Sequence, residues 1–285
     1  MWQFSRTVAP ETSKGAALIS VMRYYEWQKT VFLTSYDSVW FQSTLQLVQQ
    51  LQAAGLEVQQ LPAFEPSAFK PTMLTELRHM GIRIVTLLGG SSDRAMVAAA
   101  ANKYGLSDGW AWLTTYRLNR KKEHKAKKSL IGWLFFGATI TISNATNGFV
   151  ERVRQYNKLI FKIDAEVSLH DEGLLPLYDA IMLFAHAATK VLGEGGSLLD
   201  GQAVSKAVRD AKLDGMAGLL DVDEQGNRIE SYELMNYVMG TAPKMRSEPF
   251  GMYNSTLQQY TAYEKVVVWP GRTTEVPIDY SSGAS

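Results

Sequence analysis

The feature that most constrains this chain is the alternation of helical and strand-like segments along its first 115 residues, punctuated by glycines. Ala17, Leu18, Val21 and Met22 recur at helical spacing after Glu11-Thr12-Ser13, and the apolar run TVFLT at 30–34 reads as a buried strand. After a turn at 35–38, Leu45, Val48 and Leu51 predict a helix over 41–54 that Gly55 ends, followed by a strand over 56–61. A loop at 62–71, a helix over 72–80 stopped by Gly81, and the apolar run 82–88 come next. That run leads through Gly89-Gly90-Ser91-Ser92-Asp93 into a helix over 94–104 stopped by Gly105, and 110–114 supplies a further strand. Helix, strand, helix, strand in this order predicts an α/β fold with a mainly parallel open sheet and helices on both faces.

Beyond residue 115 the pattern is less regular. The basic run RKKEHKAKK at 120–128 reads as a solvated loop. A strand is expected over 130–136, a polar loop at 144–148, and helices over 148–162, 172–192 and 201–212. The run 218–222, a turn at 224–227 and the alternating segment 231–239 are β-like. Two stretches, 130–142 and 174–192, invite comparison with a membrane span, which needs about 20 apolar residues. The first is too short, and the second carries Pro176, Asp179, His186 and Lys190, as a core-facing soluble helix does. No signal peptide or transmembrane helix is expected in this chain, whose Met1-Trp2-Gln3-Phe4-Ser5-Arg6 start lacks an apolar core.

Composition removes several function classes. The 285 residues carry 29 basic and 28 acidic side chains, a balance unlike the electrostatic footprint of a nucleic-acid binder. Cysteine is absent, so no disulfide, thiol nucleophile or cysteine-based metal site is available. His79, His124, His170 and His186 show no ligand spacing, His186 reads as half-buried, and no serine sits in a G-x-S-x-G elbow. No cofactor and no catalytic residue are expected.

In open parallel sheets ligands bind at the carboxyl ends of strands. This rule selects Tyr36 and Asp37 after the first strand, Ser91, Ser92 and Asp93 after the third, and Thr115 and Tyr116 after the fourth. Tyr36, Asp37 and Trp40 suit an amine-bearing ligand, and the Gly89–Asp93 turn before a helix suits an anion, although it matches neither a dinucleotide nor a P-loop motif. An ordinary capped turn explains the same residues. Asn144-Ala145-Thr146 and Asn254-Ser255-Thr256 are N-glycosylation sequons for a chain that enters a secretory pathway.

Several of these segments also resemble, in order, the receptor family ligand-binding region, which has the type I periplasmic-binding-protein fold. Phe4-Ser5-Arg6-Thr7-Val8 is similar to its opening, and Glu26-Trp27-Gln28-Lys29-Thr30-Val31 to its strand entry. The stretch 82–104 and Trp110-Ala111-Trp112-Leu113-Thr114-Thr115 resemble two further family segments. Tyr178-Asp179-Ala180, Leu213-Asp214-Gly215-Met216-Ala217-Gly218, the stretch 221–228 and Tyr232-Glu233-Leu234-Met235-Asn236 resemble the second half, and Trp269-Pro270-Gly271-Arg272 a following segment of eukaryotic members.

The resemblance implies a bilobal ligand-binding region over 1–240, with 1–169 mostly second lobe, 170–230 the returning part of the first, and 231–240 a strand returning to the second. Residues 241–285 are then a tail or linker toward a membrane span. Members carry a long segment before the opening motif that forms most of the first lobe, so one lobe is expected to be incomplete here. Where many members have D-Y-G this chain has Ser38-Val39-Trp40, so an aromatic contact cannot be carried over to Val39. The implied function is small-molecule binding, amino-acid-like or peptide, on the extracellular face of a cell-surface receptor that signals by cleft closure. A homodimer is an expected partner, nucleic acid is not, and the membrane is reached only through segments outside this chain. A soluble solute-binding protein of the amino-acid transporter type and a small α/β enzyme acting on a phosphorylated substrate are the alternatives. An isolated incomplete lobe is expected to self-associate and to bind weakly.

Overall fold

The computed structural model describes residues 5–115, 127–139, 143–164, 167, 173–240 and 245–279. In chain order the elements are α1 (Lys14–Tyr24), β1 (Lys29–Thr34), α2 (Ser38–Ala53), β2 (Glu57–Gln60), α3 (Thr75–His79), β3 (Ile84–Leu88), α4 (Ser91–Lys103), β4 (Ala111–Thr114), β5 (Leu134–Ala138), α5 (Asn144–Ile160), α6 (Leu174–Gly193), α7 (Gly201–Asp210), β6 (Leu213–Gly215), β7 (Gly218–Leu220), β8 (Tyr232–Met239), β9 (Met245–Asn254) and β10 (Gln259–Ala262). They form two compact units, one of Met1–Pro10 with Thr139–Glu230 and one of Glu11–Ala138 with Ser231–Ser285.

The larger unit is built on one eight-stranded sheet in the order β10-β9-β8-β5-β4-β3-β1-β2. Strands β2, β1, β3, β4 and β5 are mutually parallel, and β8, β9 and β10 are added antiparallel. Alternation along each strand sorts side chains to two helix-covered faces. Val31, Leu33, Val85, Leu87, Trp112 and Phe135 join α3 and α4 on one face. Phe32, Ile84, Leu88, Leu113, Leu134 and Phe136 join α1 and α2 on the other. This is the α/β fold expected, consistent with the type I periplasmic-binding class.

Glycine stops behave as the sequence implies, since Gly55, Gly81 and Gly105 all have positive φ. Several boundaries move. The expected strand start at 130 is replaced by a 3-10 turn, because Gly132 adopts φ +90° and β5 begins only at Leu134. The expected loop at 144–148 is already helical, since the Ser143 hydroxyl accepts from Thr146 N–H and starts α5 four residues early. Residues 245–262, read from sequence as part of a tail or linker, supply β9 and β10 to the sheet.

The chain after β10 then straps across the amino ends of the parallel strands. Asn236 bonds both backbone groups of Val268, each at 2.9 Å. Trp269 is fully buried beside Tyr25 and Trp27, with ring centroids at 5.3 and 5.7 Å. The Trp27 indole donates to Pro277 O at 2.7 Å, and the Asp279 carboxylate accepts from the N–H groups of Gln28 and Lys29 at the start of β1.

In the smaller unit α6 packs on α7 and on the β6–β7 hairpin. Leu175, Asp179, Leu183, Ala187 and Val191, four residues apart, form its buried stripe. Leu177, Ile181, Phe184 and Leu192 are exposed, so the helix is apolar on both faces rather than simply core-facing. Among the described residues it is the helix long and apolar enough, by length and composition, to cross a membrane. Its fully buried Asp179 is instead hydrogen-bonded within this unit to the Met216 and Ala217 N–H groups, as a globular packing helix requires.

Candidate functional site

Parallel pairing brings the carboxyl ends of β1, β3 and β4 to one edge. Thr34 lies opposite Leu88 and Leu87 opposite Thr114, so at the ends of their strands Ser35 continues beside Gly89 and Thr115 beside Leu88. Ser35 N–H donates to Leu88 O at 2.9 Å, and a side chain at Gly89 would press on the Ser35 and Asp93 side chains at 3.2 Å. The lack of a Cβ at Gly89 keeps this approach open.

The selected residues take distinct places on that edge. Asp37 caps α2, accepting from Val39 N–H at 2.9 Å, so the helix starts at Ser38 and not at 41. Asp93 lies inside the first turn of α4 and accepts from Gly90 N–H at 2.9 Å, while Arg94 holds Gly89 O at 3.3 Å and the Ser91 hydroxyl at 3.1 Å. Ser91, Ser92 and Asp93 are therefore helical, not loop. The buried Asp93 carboxylate already answers the positive end of α4, which lowers the attraction of this turn for an incoming anion. Tyr36 is exposed, with its ring 6.0 Å from that of Phe41.

Thr115 is 1% exposed, and its hydroxyl, like that of the fully buried Thr114, has no hydrogen-bond partner among the described residues. A buried hydroxyl without a partner costs roughly 1–3 kcal/mol, so among the described residues these two groups are buried polar functions on this edge with unspent bonding capacity. Tyr116 lies outside the described residues. What separates Thr114 and Thr115 from the capping residues is a buried hydroxyl without a partner among the described residues, which no spacing in the sequence carries.

The smaller unit holds a cavity of about 550 Å³ between the start of α5, α6 and the β6–β7 hairpin. Tyr178, Met182, His186 and Met216 line it. His186, expected to be half-buried, is exposed there. Among the described residues no group of three metal-ligating side chains forms. Of the two sequons, Asn144 opens α5 and Asn254 ends β9.

The motif residues of the second half converge on a structural clamp. Asp179 accepts from Met216 and Ala217 N–H at 2.6 and 3.1 Å, and Gly215 lies against its carboxylate. Arg228 stands 3.8 Å from Asp179 and donates to the carbonyls of Thr7, Ala217 and Leu219. Family-like spacing here thus encodes the joining of α6, the hairpin and the opening segment.

Comparison with known proteins agrees with this architecture. Residues 2–240 match the model of the receptor family ligand binding region. Guanylate cyclase 2D of Rattus norvegicus is 24% identical over 242 residues, covering 79% of this chain and 21% of that protein. Retinal guanylyl cyclase 1 of Homo sapiens is 24% identical over 274 residues, covering 84% and 25%. A receptor-type guanylate cyclase of Caenorhabditis elegans is 24% identical over 309 residues, covering 92% and 26%. The chain spans about a quarter of the length of these relatives. With the match extending over most of its length, the chain belongs to the receptor family ligand-binding region.

Proposed function

We propose that this chain is part of the extracellular ligand-binding region of a cell-surface receptor, that it binds an amino-acid-like or peptide ligand without catalysing a reaction, and that ligand signals by closing a two-lobed cleft. The observation that carries this reading is the family match over residues 2–240. The carboxyl edge of β1, β3 and β4, where the Thr114 and Thr115 hydroxyls have no partner among the described residues, supports it as the second-lobe contact surface. In this reading 1–169 belong mostly to the second lobe, 170–230 to the returning first lobe and 231–240 to the returning strand. Ligand that prefers the closed state shifts its population by its difference in affinity for the two states. Any cyclase activity of the kind named in its relatives belongs to other parts of a longer protein.

Calorimetric titration of the chain with the twenty L-amino acids, a natriuretic peptide and inorganic phosphate tests the proposal. Saturable binding of an amino acid or the peptide, abolished by Thr115→Tyr, is expected. Binding of phosphate alone would favour the enzyme reading, and no saturable response to any probe would overturn the ligand-binding one.

A further inference from the structure

The β9–β10 hairpin ends in a turn whose side chains are arranged unlike those of the other sequon. Asn254 Oδ1 accepts the N–H groups of both Thr256 and Leu257, each at 3.0 Å. This is an Asx turn, and it fixes the carbonyl side of the amide inward while leaving Asn254 Nδ2 without a partner among the described residues. Thr256 is exposed, Leu257 is 69% exposed, and Ser255 N–H is tied to the Ser231 hydroxyl at 3.2 Å. The acceptor nitrogen and the hydroxyl two residues on are thus presented together on a braced turn.

Asn144 differs in each respect. It is the first residue of α5, and its sequon threonine, Thr146, is 2% exposed with its hydroxyl 2.9 Å from the Ser143 hydroxyl. The sequence motif is the same, but the fold withdraws one of its two working groups.

We infer that Asn254 is an N-glycosylation site, an inference that rests on the extracellular reading above. In the transfer, Asn254 Nδ2 attacks the anomeric carbon of a lipid-pyrophosphate-linked oligosaccharide. The N–C bond forms as the C–O bond to the pyrophosphate breaks, the lipid pyrophosphate leaves with the bonding pair, and the amide proton passes to a base of the transferase. No oxidant or reductant is involved. The attached glycan has a physical role here, because β10 is an edge strand of the eight-stranded sheet. An exposed edge invites pairing with another chain, and a bulky hydrated group at its end opposes that pairing while covering Leu257.

The test is to place the full chain behind a cleavable secretory signal, express it in cultured animal cells, and read the mobility shift on peptide-N-glycosidase digestion together with peptide mass spectra. A glycan on the peptide containing Asn254 is expected. Asn254→Gln should remove it, Thr256→Ala should remove it while keeping the capping asparagine, and Asn144→Gln should retain it. An unmodified Asn254 peptide in a sample whose added control sequon is glycosylated would overturn the inference. Because the signal is supplied, this result does not depend on where the native chain resides. Failure of the extracellular reading would appear separately, as a native protein that proteases reach only from the cytoplasmic side of sealed membranes.

Discussion

Asp179 on α6 and Arg228 after the β6–β7 hairpin lie 3.8 Å apart, both essentially removed from solvent. Their mutual attraction is only part of what holds them, since the carboxylate takes two backbone N–H groups and the guanidinium reaches three backbone carbonyls. Removing one partner of a buried pair leaves the other charge uncompensated, at a cost of about 3–5 kcal/mol. Arg228→Met should lose stability on that scale in chemical denaturation. Asp179→Asn with Arg228→Met should recover part of the loss, because no buried charge then remains, and a double variant no more stable than the single one would contradict this account.

The strap that follows β10 should behave as part of the core. Trp269→Ala removes a fully buried indole and is expected to cost about 3–5 kcal/mol. Gly132→Ala should also destabilise, since its φ is +90° and an added Cβ would strike the backbone of Trp269 and Pro270. Thermal melts of the two variants check this. Unchanged melting temperatures would mean the strap is dispensable.

High pH should unfold the larger unit through its tyrosines. Burial, reinforced by neighbouring tyrosines, raises the phenols of Tyr25 and Tyr260 well above the usual range. With folded values raised, the stabilisation is complete below the unfolded value of about 10 and is lost as pH climbs past it, because the unfolded chain releases protons that the folded one retains. Melting temperature should therefore fall above about pH 10, and less steeply in the Tyr25→Phe, Tyr260→Phe double variant. Equal slopes in the two proteins would count against these residues.

The exposed face of α6 should drive self-association of the isolated chain. Leu177, Ile181 and Phe184 are all more than half exposed along one helix, an apolar display that soluble monomers rarely carry. Ile181→Lys with Phe184→Lys should shift sedimentation toward monomer without lowering the melting temperature. A wild-type chain that is monodisperse and monomeric would remove the premise.

At the candidate edge, Thr115→Val should weaken binding of whichever amino acid or peptide the titration identifies by about 5- to 10-fold, the scale of one hydrogen bond. The Thr→Val change keeps the shape and removes the hydroxyl, so a stability loss without an affinity loss would assign Thr115 to packing alone.

The sequence determined the parallel sheet, because the signals for it are local. Apolar runs at 30–34, 82–88 and 110–114 alternate with helical spacing, and Gly55, Gly81 and Gly105 close the helices in the left-handed conformation each one favours. It also determined family membership, through ordered motifs whose Asp179, Gly215 and Arg228 turn out to be mutual neighbours. Tertiary structure alone decided the rest. Residues 245–254 pair with β8 and 259–262 then pair with 251–254, long-range choices that no local pattern announces, and Trp269 finds its place beside Tyr25 and Trp27 only once the sheet exists. The same holds at the candidate edge. Asp37 and Asp93 resemble ligand carboxylates in sequence but spend oxygens on backbone N–H groups at helix starts, whereas Thr114 and Thr115 look ordinary until burial leaves their hydroxyls without partners among the described residues. Short-range spacing can specify a helix, a strand or a cap, but whether a polar atom is left unbonded depends on everything folded around it.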